Sequence, residues 1–254
     1  MKRRSVLIRG LYISAAGMLP RRVQQEDTVA NNLANISTIG YKKSTIFLRK
    51  LIGASYALDH ALGKDISQPP EEIRIDFSQG TFEKTDNPFD IAFNGPGFFR
   101  VQDSSGQIYY TRNGQFYLDG NGNLVNSGGF FLLDDQKNKI RIDGNDVKIM
   151  GNGHILVDEQ LSATIGTADF NAKDYTALES LGMELFRKPA SVSEIPVSTG
   201  TVILQGFLEE SNVDPIRTMV DMIEIFRSFE SGQKAIQVQD QALQRVVNDV
   251  GTVR

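Results

Sequence analysis

The chain has 254 residues, of which 40% are apolar and 15 are phenylalanine, and this composition predicts a folded protein with one compact domain and projecting segments. It contains no cysteine, which excludes disulfides, thiolate metal sites and cysteine nucleophiles. The only histidines are His60 and His154, so a histidine-rich metal site is excluded as well. We predict no metal and no cofactor, and we expect neither histidine to be catalytic.

The formal net charge of −4 conceals an uneven distribution along the chain. Residues 1–50 hold ten Lys or Arg against Glu26 and Asp27, so their net charge is 10 − 2 = +8, and the remainder carries −4 − 8 = −12. A basic arm on an acidic body is typical of proteins that bind nucleic acid, anionic lipid or an acidic surface of a neighbouring protein.

The first residues imitate a secretory signal, since Lys2, Arg3 and Arg4 precede an apolar run. Arg9 splits this run, and helical spacing continues past any cleavage point, so we expect the segment to be retained. Arg9 and Pro20 also keep every apolar run below about 18 residues, which predicts no membrane insertion.

An apolar stripe with alternating steps of four and three residues predicts an N-terminal helix. Pro20 predicts a kink or a late start of this helix, and Gly40 predicts its stop. The positions of the stripe are Tyr12, Ala16, Leu19, Val23, Glu26, Ala30 and Leu33, and all but Glu26 are apolar.

Short apolar runs separated by Gly, Asn and Asp follow, and their close spacing predicts an antiparallel β domain of hairpins. Residues 51–72, with Pro69 and Pro70, are expected to form a connector before this domain. The runs lie at Phe98–Val101, Ile108–Thr111, Phe116–Leu118, Phe130–Leu133, Val147–Met150 and Ile155–Val157.

A second apolar seam, which repeats every seven residues, predicts a long helix from about Pro215 onward. Asp214 before Pro215 predicts an N-cap followed by a first-turn proline. Burial of one narrow seam cannot offset the entropy of ordering so long a helix, so we predict that the terminal helices are satisfied by assembly. The seam consists of Met222, Phe229, Ile236, Leu243 and Val250.

These elements predict an α+β fold in which the N- and C-terminal helices form a coiled-coil-like helical domain beside a central antiparallel β domain rich in hairpins. The expected segments are residues 1–50 for the N-terminal helix and basic arm, 51–72 for the connector, 73–200 for the β domain and 201–254 for the C-terminal helical segment.

Two motifs have alternative interpretations. Asp119 begins a stretch of alternating oxygen-bearing side chains typical of a calcium loop, but Leu124 and Phe130 stand where such a loop needs Gly and Glu, so a tight hairpin explains the stretch better. Nucleic-acid binding would use the basic arm, yet the interleaved apolar stripe and the acidic body disfavour it. The basic residues concerned are Arg21, Arg22, Lys42, Lys43, Arg49 and Lys50.

A different class of function would make the β domain a carbohydrate-binding or hydrolytic module that acts on the cell wall with a carboxylate pair. The sequence isolates no such pair, because Asp and Glu are scattered over the turns.

Three parts of the chain resemble flagellar rod, hook and hook-associated proteins. The first is the segment from Ala30 to Asn35 with Thr38, Gly40, Tyr41 and Lys42, whose several helical asparagines are unfavourable unless their amides bond a neighbour. The other parts are Asn87–Ala92 with Gly95–Phe99 and Tyr110–Gly114, and Gln205–Gly206 with Glu209–Val213. Residues 226–230, 234–237 and 240–243 look most like the proximal rod members of the family, with the distal rod members as the alternative.

The resemblance implies a structural axial subunit of the flagellar basal-body rod that polymerises through its terminal helices, transmits torque from motor to hook, and is not an enzyme. It implies export by the flagellar apparatus without a cleaved signal, a periplasmic location, and partners that are copies of the chain and other rod proteins, with no nucleic acid and no small-molecule substrate. The expected assembly interface is Tyr12, Leu19, Val23, Ala30, Asn31, Asn32, Leu33, Asn35, Met222, Phe229, Ile236, Leu243 and Val250.

Overall fold

A computed structural model describes residues 24–47 and 72–251 of the chain. These residues fall into two compact units, each built from separate stretches of sequence. Unit 1 holds residues 24–34, 46–47, 72–73 and 214–251, and unit 2 holds residues 35–45 and 74–213.

The helices of unit 1 are α1, residues 24–34, and α2, Pro215–Gly251. Asp214 caps α2, because its carboxylate accepts a hydrogen bond from the Arg217 amide at 3.1 Å. Pro215 occupies the first helical position, where its missing N–H costs nothing. The predicted cap and first-turn proline are therefore confirmed.

Unit 2 consists of short antiparallel strands that pair mainly with near neighbours in sequence. The largest sheet has the order β14-β15-β6-β5-β9-β8-β7, with β13 also paired to β5, and a three-stranded sheet has the order β10-β11-β12. The strands are β1 Ser44–Phe47, β2 Glu72–Ile75, β3 Phe82–Lys84, β4 Ile91–Asn94, β5 Phe98–Gln102, β6 Ile108–Thr111, β7 Tyr117–Leu118, β8 Leu124–Val125, β9 Phe131–Leu132, β10 Val147–Ile149, β11 His154–Val157, β12 Gln160–Thr164, β13 Thr167–Ala168, β14 Glu179–Ser180, β15 Leu185–Arg187, β16 Val202–Gln205 and β17 Phe207–Glu209.

The predicted apolar runs coincide with these strands, so the hairpin interpretation of this region is confirmed. β5 and β6 pair antiparallel from Phe99↔Thr111 to Gln102↔Ile108, and β10 and β11 pair from Val147↔Val157 onward. A short 3₁₀ helix, Tyr175–Ala177, precedes β14.

β5 lies at the centre of unit 2 and is covered on both faces. Consecutive strand residues point to opposite faces, and Phe98 and Phe99 are both fully buried in different apolar clusters. Phe99 packs with Phe93 and Phe116, whereas Phe98 packs with Phe170 and Phe186. The unit therefore has two cores that share one sheet.

Two further strand pairs close unit 2 over a long sequence distance. β16 pairs with β4, as in Ile203↔Phe93, and β17 pairs with β3, as in Leu208↔Glu83. They place Glu209, near the end of unit 2, beside Phe82 of β3.

The predicted coiled-coil-like domain of paired terminal helices is wrong. The described residues contain two helices of unequal length, and most other regular elements are strands. The eleven described residues of α1 make about three turns, whereas the 37 residues of α2 span about 55 Å, so the described residues of α1 can match only part of the seam of α2. A seven-residue repeat marks a helix face that needs a partner, but it does not identify the other end of the same chain as that partner.

Candidate assembly surface and its buried ionic cluster

Three charged side chains meet inside unit 2 and form what we call the ionic cluster: Lys42, Arg112 and Glu209. Lys42 Nζ lies 2.6 Å from one carboxylate oxygen of Glu209, and Arg112 Nη1 lies 3.2 Å from the other. The side chains of Lys42 and Glu209 are fully buried, and that of Arg112 is 3% exposed. Lys42 comes from the segment before β1 and Glu209 from the end of β17, so the cluster joins distant parts of the chain.

The backbone around Gly40 positions Lys42 for this contact. The Gly40 amide donates to the Glu209 carbonyl at 2.7 Å, and its φ of +71° favours glycine. A Cβ at this position would lie 2.5 Å from the Asn113 amide nitrogen. Glycine therefore permits both the turn and the close approach, and the predicted helix stop at Gly40 is wrong, because α1 ends at residue 34.

Polar neighbours replace the water that the ionic cluster loses. Lys42 Nζ also donates to the Ser78 carbonyl at 2.7 Å, and the Gly80 amide donates to Glu209 at 3.0 Å. Burial lowers the pKa of Lys42, and the nearby Glu209 carboxylate counteracts part of this effect.

Arg112 completes the cluster from the end of β6. Its Nη2 donates to the Gly95 carbonyl at 3.0 Å, and its guanidinium carbon lies 5.5 Å from the ring centroids of both Phe93 and Phe98. Cation–π attraction at this distance supplies further stabilisation of the buried charge.

Three residues after Glu209, the Asn212 side chain also links the C-terminal end of unit 2 to the segment that contains Lys42. Its side-chain oxygen accepts from the Lys43 amide at 2.8 Å, while its side-chain nitrogen donates to the Asp76 carbonyl at 2.7 Å and the Ser78 carbonyl at 3.0 Å. Residues 40–43 and 209–212 are thus held side by side on the segment 76–80.

Both of these segments carry the family resemblance, but nothing in the sequence predicts that their charges are buried together. The complete burial of Lys42 against Glu209 excludes a phosphate contact for this residue. The signal that was missed is the pairing of a lysine and a glutamate on segments that are distant in sequence.

The predicted interface residues have mixed environments in unit 1 and at its border. In and after α1, Asn32 is buried, Ala30, Leu33 and Asn35 are partly buried, and Asn31 is exposed. On α2, Met222, Phe229 and Ile236 are partly buried. The described residues do not include Tyr12, Leu19 and Val23, nor the side chains of Leu243 and Val250. The predicted kink at Pro20 also lies outside them.

The first turns of α2 also carry apolar side chains outside the seam, and we call them the exposed face. Its side chains are between 42% and 76% exposed, and their spacing of three and four residues places them on one side of the helix. It adjoins the seam, because Met219 and Phe226 lie three and four residues from Met222. The exposed face consists of Ile216, Met219, Val220, Ile223 and Phe226.

The other candidate motifs have structural roles. Asp119 accepts hydrogen bonds from the amides of Asn121 and Asn123 in the turn between β7 and β8, so the hairpin interpretation is confirmed. His154 Nδ1 lies 2.9 Å from the Thr164 hydroxyl across the β11–β12 pair. His60 lies outside the described residues.

The described residues provide neither a cluster of metal ligands nor a helix that could span a membrane. Within residues 24–47 and 72–251, no three His, Asp or Glu side chains are grouped so that they could hold a metal ion. Neither helix of these ranges has an apolar stretch of the length needed to cross a bilayer.

Three family models match successive parts of the chain. Residues 11–42 match the flagella basal body rod protein family, residues 92–157 match the D1 domain of flagellar hook proteins FlgE/F/G, and residues 204–249 match the C-terminal region of flagellar basal body rod FlgEFG proteins. The first and third models contain the two segments that the ionic cluster joins.

Whole-length relatives agree with these matches. The chain is 34% identical to the flagellar basal-body rod protein FlgG of Buchnera aphidicola from Schizaphis graminum, over 94% of this chain and 99% of the relative. It is 32% identical to FlgG of Bacillus subtilis over 95% and 99%, and 31% identical to FlgF of Caulobacter vibrioides over 88% and 90%. The chain therefore belongs to the flagellar basal-body rod protein family and is a structural rod subunit of the bacterial flagellum.

Proposed function

We propose that this subunit polymerises with copies of itself and with other flagellar rod proteins through α2 and the asparagine-rich segment 30–35. We propose further that the resulting rod transmits torque from motor to hook. The observation that supports this proposal best is the exposed face of α2, on which five large apolar side chains are open to solvent. The interface residues predicted from the sequence remain part of the proposal.

The exposed face is energetically suited to association. Complete burial of a Val, Ile, Met or Phe side chain contributes about 1.5 to 3 kcal/mol, so the remaining exposed area of five such residues represents roughly 5 kcal/mol. Contiguous apolar surface of this kind usually marks an interaction site. A contact between unlike surfaces that does not close into a ring generates a filament, which is the form that a rod requires.

The ionic cluster suits the transmission of load. Residues 40–43 lie shortly before the chain leaves unit 2 at residue 45, and residues 209–212 lie shortly before it leaves again at residue 213. Both segments are held by hydrogen bonds and ion pairs. Force applied along either segment is therefore delivered to the β sheets through several contacts at once.

The remaining parts of the proposal concern location and chemistry. As a basal-body protein, the chain would be exported by the flagellar apparatus and act in the periplasm. It would have no enzymatic activity and no small-molecule substrate. The sequence favours the proximal over the distal part of the rod, and this position stays a prediction, because the names of the relatives state none.

The proposal is tested by Ile223→Asp in a strain that lacks the parent gene. Ile223 is 52% exposed, so we expect a loss of about 1 kcal/mol or less in the free energy of unfolding. A charge buried at a subunit interface is far more costly, so we expect at least a tenfold decrease in the amount of subunit in purified basal bodies, together with loss of motility.

Ser231→Asp is the matched control, because it adds the same charge at an exposed position of α2 outside the exposed face. We expect it to be incorporated normally. Normal incorporation of Ile223→Asp would refute the proposed use of this face.

A further inference from the structure

The hairpin that joins β14 to β15 ends in a strained tip formed by Leu181, Gly182, Met183 and Glu184. The Leu185 amide donates to the Gly182 carbonyl at 3.0 Å, which places Met183 and Glu184 at the centre of a β-turn. Their φ values are +52° and +55°, so both residues are in the left-handed region. This combination defines a type I′ turn, in which Asn-Gly is the favoured central pair.

Met and Glu are poor choices for these two positions. A left-handed backbone costs an ordinary residue roughly 1 to 2 kcal/mol, and the cost persists only where the surrounding structure or a function demands it. Burial raises the pKa of the Glu184 carboxyl, and a hydrogen bond with the Asn113 side chain counteracts part of this effect. That contact accounts for Glu184, whereas the choice of Met183 is not explained by the folding of the hairpin alone.

The tip instead presents apolar surface to solvent. Met183 is 63% exposed and Leu181 is 46% exposed. The Met183 methyl group lies against Gly128, because a Cβ added to Gly128 would be 2.9 Å from this methyl carbon. The tip is thus held as a small apolar projection by backbone hydrogen bonds, including the one from the Leu181 amide to the Leu185 carbonyl at 3.0 Å.

Unit 2 also carries an open groove that is apolar over part of its surface. Its volume is about 570 Å³, and Arg112 of the ionic cluster lines it together with the polar residues Asp76, Ser78 and Gln79. The hairpin tip of the same molecule cannot fill this groove, because it is fixed against Gly128. The apolar lining of this aromatic groove comes from Ile75, Phe77, Pro96, Ala172 and Tyr175.

We propose that the hairpin tip of one copy docks into the aromatic groove of a neighbouring copy of this chain, with Leu181 and Met183 against Phe77 and Tyr175. This inference rests on the proposed polymerisation. Projection and groove are two different surfaces of unit 2, so their contact is heterologous and repeats from copy to copy without closing on itself. It would add a contact between β units to the contact made by α2.

The first test replaces Met183 by Asn, which suits a left-handed turn position. We expect Met183→Asn to leave the melting temperature of the purified chain unchanged or higher. Loss of an apolar side chain from an interface weakens association by about tenfold, so the amount of subunit in purified basal bodies is expected to fall to a similar extent.

Asp158→Asn is the matched control, because Asp158 is the first central residue of the β11–β12 turn and has a φ of +49°. We expect this variant to be incorporated like the parent chain. Normal incorporation of Met183→Asn would overturn the proposal.

The second test uses the absence of cysteine from the chain. Two copies, one with Met183→Cys and one with Ala172→Cys, are expressed together, and purified basal bodies are treated with a short thiol-specific crosslinker. A dimer is expected only when both copies are present. Gly120→Cys replaces Ala172→Cys in the control, since a side chain at Gly120 points into open space, and we expect no dimer with it.

The outcomes separate this inference from the function on which it rests. If both cysteine variants enter basal bodies but give no more dimer than the Gly120→Cys control, the docking is refuted while polymerisation stands. If the unsubstituted chain is absent from basal bodies, the proposed polymerisation and the docking both fail.

Discussion

Glu209 keeps a carboxylate out of water because three donors replace its hydration. Lys42 Nζ, the Gly80 amide and Arg112 Nη1 all lie within 3.2 Å of its oxygens. The cluster holds two cations and one anion, and the excess positive charge faces the carbonyls of Ser78 and Gly95. Such an arrangement is tolerated only as a complete set, since each partner compensates for the burial of another.

We therefore expect Glu209→Gln to destabilise unit 2 strongly. The substitution keeps the shape of the side chain but leaves Lys42 and Arg112 buried without a counter-charge. Removal of one member of a buried ion pair typically costs about 3 to 5 kcal/mol in the free energy of unfolding, which urea denaturation of the purified chain would measure.

The double variant Lys42→Met with Glu209→Gln provides the control. It removes the buried ammonium together with the carboxylate, so its loss should be smaller than the sum of the two single losses. Strict additivity would show that the two side chains do not act as a pair.

At the scale of the element, α2 has two apolar sides with different surroundings. The seam at Met222 and Phe229 is partly buried, whereas Ile216 and Ile223 on the exposed face are open to solvent. The helical period of 3.6 residues determines which side chains lie on each side. The helix that carries both sides begins at the Asp214 cap.

Loss of the cap should loosen the first turn of α2. Asp214→Ala removes the acceptor for the Arg217 amide, and we expect the local stability of the helix start to fall by about 1 kcal/mol. Faster hydrogen exchange of the amides of residues 216–218 would report this change. Asp214→Asn keeps an acceptor oxygen, so equal effects of the two substitutions would contradict the capping role.

Local signals in the sequence were sufficient for the hairpins and the cap. Alternation of short apolar runs with turn residues located β5, β6 and β10, and the Asp214-Pro215 pair located the start of α2. The repeat of Met222 and Phe229 gave the correct helix, but it did not give the partner of that helix, and the pairing of the two terminal helices was wrong.

Contacts between distant residues could not be predicted in the same way. β16 and β4 are more than a hundred residues apart in sequence, and nothing in the sequence of either strand identifies the other as its partner. The burial of Lys42 was missed for the same reason, because a lysine on a basic arm is usually solvated and only the folded chain brings Glu209 beside it. The full width of the exposed face did not follow from the seven-residue repeat, because the repeat selects a narrow row, whereas the apolar residues of this stretch cover a wider part of the helix surface.

At the scale of the whole molecule, both units are discontinuous in sequence. Unit 2 requires residues 35–45 as well as 74–213, and the shorter piece supplies Gly40 and Lys42 to the ionic cluster. In sequence, residues 35–45 lie between two segments of unit 1, which end at residue 34 and begin at residue 46. Complete folding of unit 2 is therefore coupled to the N-terminal part of the chain.

This dependence predicts the behaviour of a fragment that contains only residues 74–213. Without Lys42, Glu209 keeps only part of its compensation, so the fragment should be less stable than unit 2 of the full chain by about 3 kcal/mol or more. A peptide of residues 35–45 added in trans should bind and raise the urea midpoint of the fragment as its concentration increases. The same peptide with Lys42→Gln should have little effect, because Gln brings no charge to Glu209; an equal effect of the two peptides would show that the backbone contacts of Gly40, and not the ion pair, hold this segment in place.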